Sequence, residues 1–164
     1  MRSFLYLFFG IVLFYIDITI GLIIPFNIGN HAVKFVPQLT LMYLLMLTVY
    51  RNFGISLILG TFLGIMTDIY IGSLYGIYMF GYILLIFIID KFFKVFYRDY
   101  IMIFFVIICA TLVFQMYAAL IYGAVGFIEF DIWDFILLRL LPTFILNLIL
   151  LIIMFPICYK YLKN

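Results

Sequence analysis

Apolar side chains run through this chain in long blocks, and polar residues fall mainly into short breaks near 26–34, 51–52, 72–73, 90–99 and 123–134. A bilayer's hydrocarbon core is roughly 30 Å thick, and a helix crosses it in about 20 residues. In lipid every backbone N–H and C=O needs a partner inside the protein, so continuous apolar blocks must be helices. The expected spans are 3–25, 35–50, 53–71, 74–89, 100–122 and 135–158. They describe an all-α membrane protein of six transmembrane helices, a single integral membrane domain over residues 1–164. A cleaved leader fits the start poorly, because the first run is too long and no small-residue cleavage site follows it.

Hydrophobic residues make up 70% of the chain and charged residues 10%, which leaves no polar stretch for an additional soluble domain. The net charge of +2 is too small to point to nucleic acid. Placement of the basic residues is more informative. With both termini in the cytoplasm, Arg2, Arg51, Lys91, Lys94, Arg98, Lys160 and Lys163 fall inside, and Lys34 and Arg139 fall outside. Within the loop DKFFKVFYRD, Lys91, Lys94 and Arg98 offer a contact for a cytoplasmic filament or for anionic lipid heads. The plainer reading makes that loop the main topology signal.

The third block carries Gly60, Gly64, Asp68, Gly72 and Gly76 at four-residue spacing, which on a helix is one face. The glycines are expected to cut a helix-packing groove. Asp68 cannot face lipid tails and needs a partner. Counting about 1.5 Å per residue places Asp17, Asp68 and Gln115 at one depth in the outer half of the bilayer. Gln38 and Arg139 sit a turn below the outer edge of their own spans. These five residues are expected to form a buried polar cluster, with Arg139 as counter-ion to Asp68, Asp17 or both. The alternative has Arg139 snorkelling to the headgroups. Pro142 should kink the last span below Arg139, and Asn147 is expected to act as interhelical glue.

Nothing in the sequence assembles a catalytic set. The lone His31 lies in a loop with no evident nucleophile, no Cys/His cluster has metal-ligand spacing, and no phosphate-cradling glycine loop appears. Cys109 and Cys158 lie at depths too different for a disulfide. The expectation is a protein without catalysis, metal or cofactor.

Three stretches carry a resemblance: VPQLTLMYLLMLTVYR, GTFLGIMTDIYIGSLYGIYMFGY and LRLLPTFILNLILLI. Together they resemble the bacterial rod shape-determining MreD family, with the match strongest at Gly64, Asp68, Gly72 or Ser73, and Gly76, followed by Pro37, Pro142 and Asn147. The resemblance implies a six-helix fold like the S component of energy-coupling-factor transporters, in the bacterial cell membrane. It also implies a scaffold of the cell-elongation machinery that binds MreC directly. MreB, RodA and a class B penicillin-binding transpeptidase would be indirect partners. The runner-up is an S-component-like subunit that binds a vitamin or other small molecule in a cavity lined by Asp17, Gln38, Asp68, Gln115 and Arg139.

Overall fold

The structure is a computed structural model and describes residues 1–23, 26–28, 31–33, 36–71, 74–96, 99–126 and 131–163. Its elements are α1 (Arg2–Ile23), a short hairpin of β1 (Phe26–Ile28) and β2 (His31–Val33), α2 (Leu39–Tyr50), α3 (Phe53–Ile71), α4 (Ile77–Val95) and α5 (Tyr100–Val125). A single turn, α6 (Ile132–Phe135), then runs through a π-helical segment, Ile136–Leu140, into α7 (Leu141–Lys163). In the hairpin Phe26 pairs with Val33 and Ile28 with His31, antiparallel. Gly72, Arg98 and Lys34, each singled out from the sequence, lie outside the described residues.

Helix α2 is the axis of the molecule. Every side chain from Leu39 to Val49 is buried, and α1, α3, α4, α5 and α7 all pack against it. An amphipathic stripe is unnecessary in a helix enclosed on all sides, which is why this block is apolar throughout. Its twelve residues span about 18 Å, well short of the hydrocarbon thickness. Among the described residues, four stretches are long and apolar enough to cross a membrane: Arg2–Ile23, Phe53–Tyr70, Tyr100–Val125 and Ile132–Lys163. Helix α4 has the length, but its last turns carry Asp90, Lys91 and Lys94.

Several boundaries differ from the sequence reading. Val36, Pro37 and Gln38 lead into α2 instead of forming its first turn: proline disfavours helical backbone at Val36, and Gln38, with φ −132° and ψ 40°, is not helical. The charged stretch expected as a loop from Asp90 is helical through Val95, where Lys94 and Asp90 form an i, i+4 ion pair at 2.7 Å. Pro142 sits at the second position of α7. Just before it lies the π-helical segment, in which the Leu141 N–H bonds back to the Ile136 carbonyl. That wider turn absorbs the loss of a donor at the proline.

Helices α3 and α4 pack closely, and the glycines differ in how they permit it. A Cβ on Gly64 would lie 2.6 Å from the Met79 Cα, a backbone atom that moves only with its helix. One on Gly60 would meet the Ile86 Cδ1 at 2.6 Å, the tip of a flexible side chain. Gly76 plays another part: it has φ +99° and caps the start of α4, and a Cβ there finds only ordinary contacts. Its value is conformational, in a region where L side chains are strained, so its expected packing role is corrected. Gly64→Ala should destabilise the detergent-solubilised protein by about 1–3 kcal/mol. Gly60→Ala should cost clearly less, and thermal unfolding of the two variants side by side measures the difference.

Candidate functional site

Helices α2 and α4 each begin without a side-chain cap from the residue before them, Gln38 and Gly76 respectively. The first N–H groups of a helix have no partner within it, and leaving them bare in a membrane-embedded bundle is costly. Here the acceptors come from the helix one step earlier in the chain.

Asp17 of α1 caps α2. Its Oδ1 accepts from the Leu39 N–H at 2.9 Å, and its Oδ2 accepts from the Thr40 N–H at 2.9 Å and the Thr40 hydroxyl at 2.7 Å. Asp68 of α3 caps α4 in the same way. Its Oδ2 accepts from the Gly76 N–H at 2.9 Å and the Met79 N–H at 3.3 Å, and its Oδ1 from the Tyr78 N–H at 2.9 Å. Each carboxylate thus has both oxygens occupied at the positive end of a helix dipole, where a negative charge is stabilised.

A third clamp comes from α7. The Asn147 Oδ1 accepts from the Gln38 N–H at 3.0 Å, its Nδ2 donates to the Val36 carbonyl at 3.3 Å, and the Thr143 Oγ1 accepts from the Val36 N–H at 3.3 Å. Asn147 and Thr143 are both buried. The irregular segment 36–38 is therefore held by α7, and the helix start that follows it by α1. Interior polar groups satisfied in this way fix one arrangement of the bundle.

The expected charge pairing does not form. Neither Asp17 nor Asp68 makes an ion pair with Arg139, and the ion pair among the described residues is Lys94 with Asp90. The physical reason is that backbone amides have already met the carboxylates' need for donors. Arg139 lies half-buried in the π-helical segment, with its Nε buried and unpartnered. Gln38 and Gln115 are buried too, with the Gln38 amide and the Gln115 Oε1 unpartnered.

Beside the Asp17 cap is a cavity of about 320 Å³, bounded by Phe14 and Asp17 of α1, Pro37 and Gln38, Thr67 of α3, and Tyr78 and Tyr82 of α4. Asp68, Gln115 and Arg139 are not among its lining residues. Among the described residues no three His, Cys, Asp or Glu side chains gather as a metal site. The sequence reading missed Thr40, Thr143 and the backbone of Val36 as members of the polar network. The available signal was two apolar helix starts with no Ser, Thr, Asp or Asn immediately before them.

Long apolar helices around an enclosed axis, with interior carboxylates spent on helix starts, define a polytopic helical membrane protein. The family model of the rod shape-determining protein MreD matches residues 1–164, and the chain belongs to that family. It is also similar to the rod shape-determining protein MreD of Bacillus subtilis (strain 168), 27% identical over 134 residues, covering 78% of this chain and 76% of that protein. No solved structure matches it. Family membership brings a role in determining rod shape, exercised from the membrane.

Removing either cap strands three donors. Asp68→Ala and Asp17→Ala should each lower stability by at least about 2 kcal/mol, since a stranded buried donor costs about 1–3 kcal/mol. Arg139→Gln, which breaks no ion pair, should cost much less. Unfolding of the three variants in one detergent, with the Asp68→Ala/Arg139→Gln double variant, checks both points. Additivity in that cycle is the expected outcome, and a large coupling energy would restore the ion pair.

Proposed function

We propose that this chain is a non-catalytic scaffold of the bacterial cell-elongation complex. It binds MreC through that protein's transmembrane helix and helps couple MreB filaments inside the cell to peptidoglycan synthesis outside. RodA and a class B penicillin-binding transpeptidase join the same assembly indirectly. In this reading all six long helical segments cross the membrane, α2 and α4 included. Both termini are cytoplasmic, and the Asp17 and Asp68 caps lie in the outer half of the bilayer.

One observation carries the scaffold reading beyond family membership. The two interior carboxylates, the groups a proton-coupled transporter or an intramembrane enzyme would employ, have both oxygens engaged by helix starts. Interior ionisable groups in membrane proteins usually mark an ion or substrate path. Here their hydrogen bonds are architectural.

A second reading is favoured by the cavity of about 320 Å³ between α1, α3 and α4. That volume is at the low end of small-molecule sites. Under it the chain is a substrate-binding subunit resembling the S component of energy-coupling-factor transporters. Affinity purification from a rod-shaped host separates the two. The scaffold reading expects MreC to co-purify stoichiometrically and depletion to give rounded cells. Unchanged shape, together with a small molecule retained by the purified protein and lost on Gln38→Leu, would favour the second reading.

A further inference from the structure

At the end of the bundle where both termini lie, Arg2, Leu5 and Tyr6 of α1, Arg51 after α2, and Tyr161 of α7 line a cavity of about 140 Å³. Two arginines line one small space, and no Asp or Glu is among its lining residues. The Arg51 Nε is buried and has no acceptor. Like charges lining one space, and a buried donor of a cation left unpaired, are both unfavourable. A single anion between the two guanidinium groups removes both costs, and phosphate suits their planar, bidentate geometry.

Alongside, Ser3, Phe4 and Leu7 of α1 and Ile55, Ile58 and Leu59 of α3 line an apolar groove of about 230 Å³. Arg2 adjoins Ser3 in the chain, and Arg51 lies just before α3, so the cationic cavity stands at the same end of these two helices as the groove. Phe4 and Ile58 are largely exposed on this membrane-facing surface. A charged end above an apolar trough is the shape of a phospholipid.

We propose that Arg2 and Arg51 bind the phosphate of an anionic phospholipid, one acyl chain of which lies in the groove between α1 and α3. A zwitterionic lipid brings the same phosphate with a compensating cation, which the two arginines disfavour, so the site selects net negative headgroups.

The test is titration of the full-length protein in nonionic detergent with phosphatidylglycerol or phosphatidylcholine, read by native mass spectrometry. The wild type should hold phosphatidylglycerol roughly tenfold more tightly than phosphatidylcholine, given the attraction of juxtamembrane basic residues to anionic lipid. Arg2→Gln/Arg51→Gln should abolish that preference, and Lys160→Gln/Lys163→Gln, at the same end, should keep it. Arg51→Lys, which retains the charge without the guanidinium fork, should give an intermediate value. Glycerol phosphate, with no chain for the groove, should compete weakly. Equal retention of both lipids by the wild type would overturn the proposal without recourse to any variant. So would a preference that survives the double arginine variant, one lost equally in the lysine variant, or full competition by glycerol phosphate.

Discussion

A backbone N–H at the start of a helix has no intrahelical acceptor, and within a bilayer no water stands ready to supply one. The architecture here follows from how that need is met twice. Asp17 of α1 serves α2, and Asp68 of α3 serves α4, each with both carboxylate oxygens. A carboxylate buried in an apolar bundle and a row of buried amide donors would each be costly alone. Placed together they cancel, and they fix which helix lies beside which.

The enclosed helix α2 depends on this arrangement. The helix alone is shorter than the hydrocarbon is thick, so the irregular segment before it completes the crossing among its neighbours and must be held by them. Asp17 reaches the helix start from α1, and Asn147 and Thr143 secure the preceding segment from α7. With the start fixed, an apolar helix can be buried on every side. The close approach of α3 and α4 at Gly64 brings Asp68 and the α4 start within hydrogen-bonding distance.

Much of the helical layout was legible in the sequence because apolar block length is itself a physical constraint. Asp68 could be recognised as inward-facing from its surroundings alone. Its partner could not, because a carboxylate can be satisfied by a guanidinium or by backbone amides, and only the guanidinium leaves a mark in the sequence. Arg139 attracted the pairing for that reason, while Gly76, Tyr78 and Met79 offered donors that every residue but proline possesses. Boundaries failed where two signals competed. Charge at Asp90 and Lys94 reads as the end of a membrane span, but their i, i+4 spacing supports further helix, and α4 continues past them. Likewise Pro37 marks the approach to α2, whereas its first turn is set by contacts with residues far along the chain.

The direction of the two caps bears on how the molecule is built during synthesis. In both cases the acceptor precedes the donors it serves: Asp17 is made before Leu39 and Thr40, and Asp68 before Tyr78 and Met79. As each helix start emerges from the ribosome, the group that will neutralise its bare amides has already been delivered. The α7 residues Thr143 and Asn147 arrive last and bolt down a segment made more than a hundred residues earlier. The clamp on the first connection therefore cannot form until the final helix has been made.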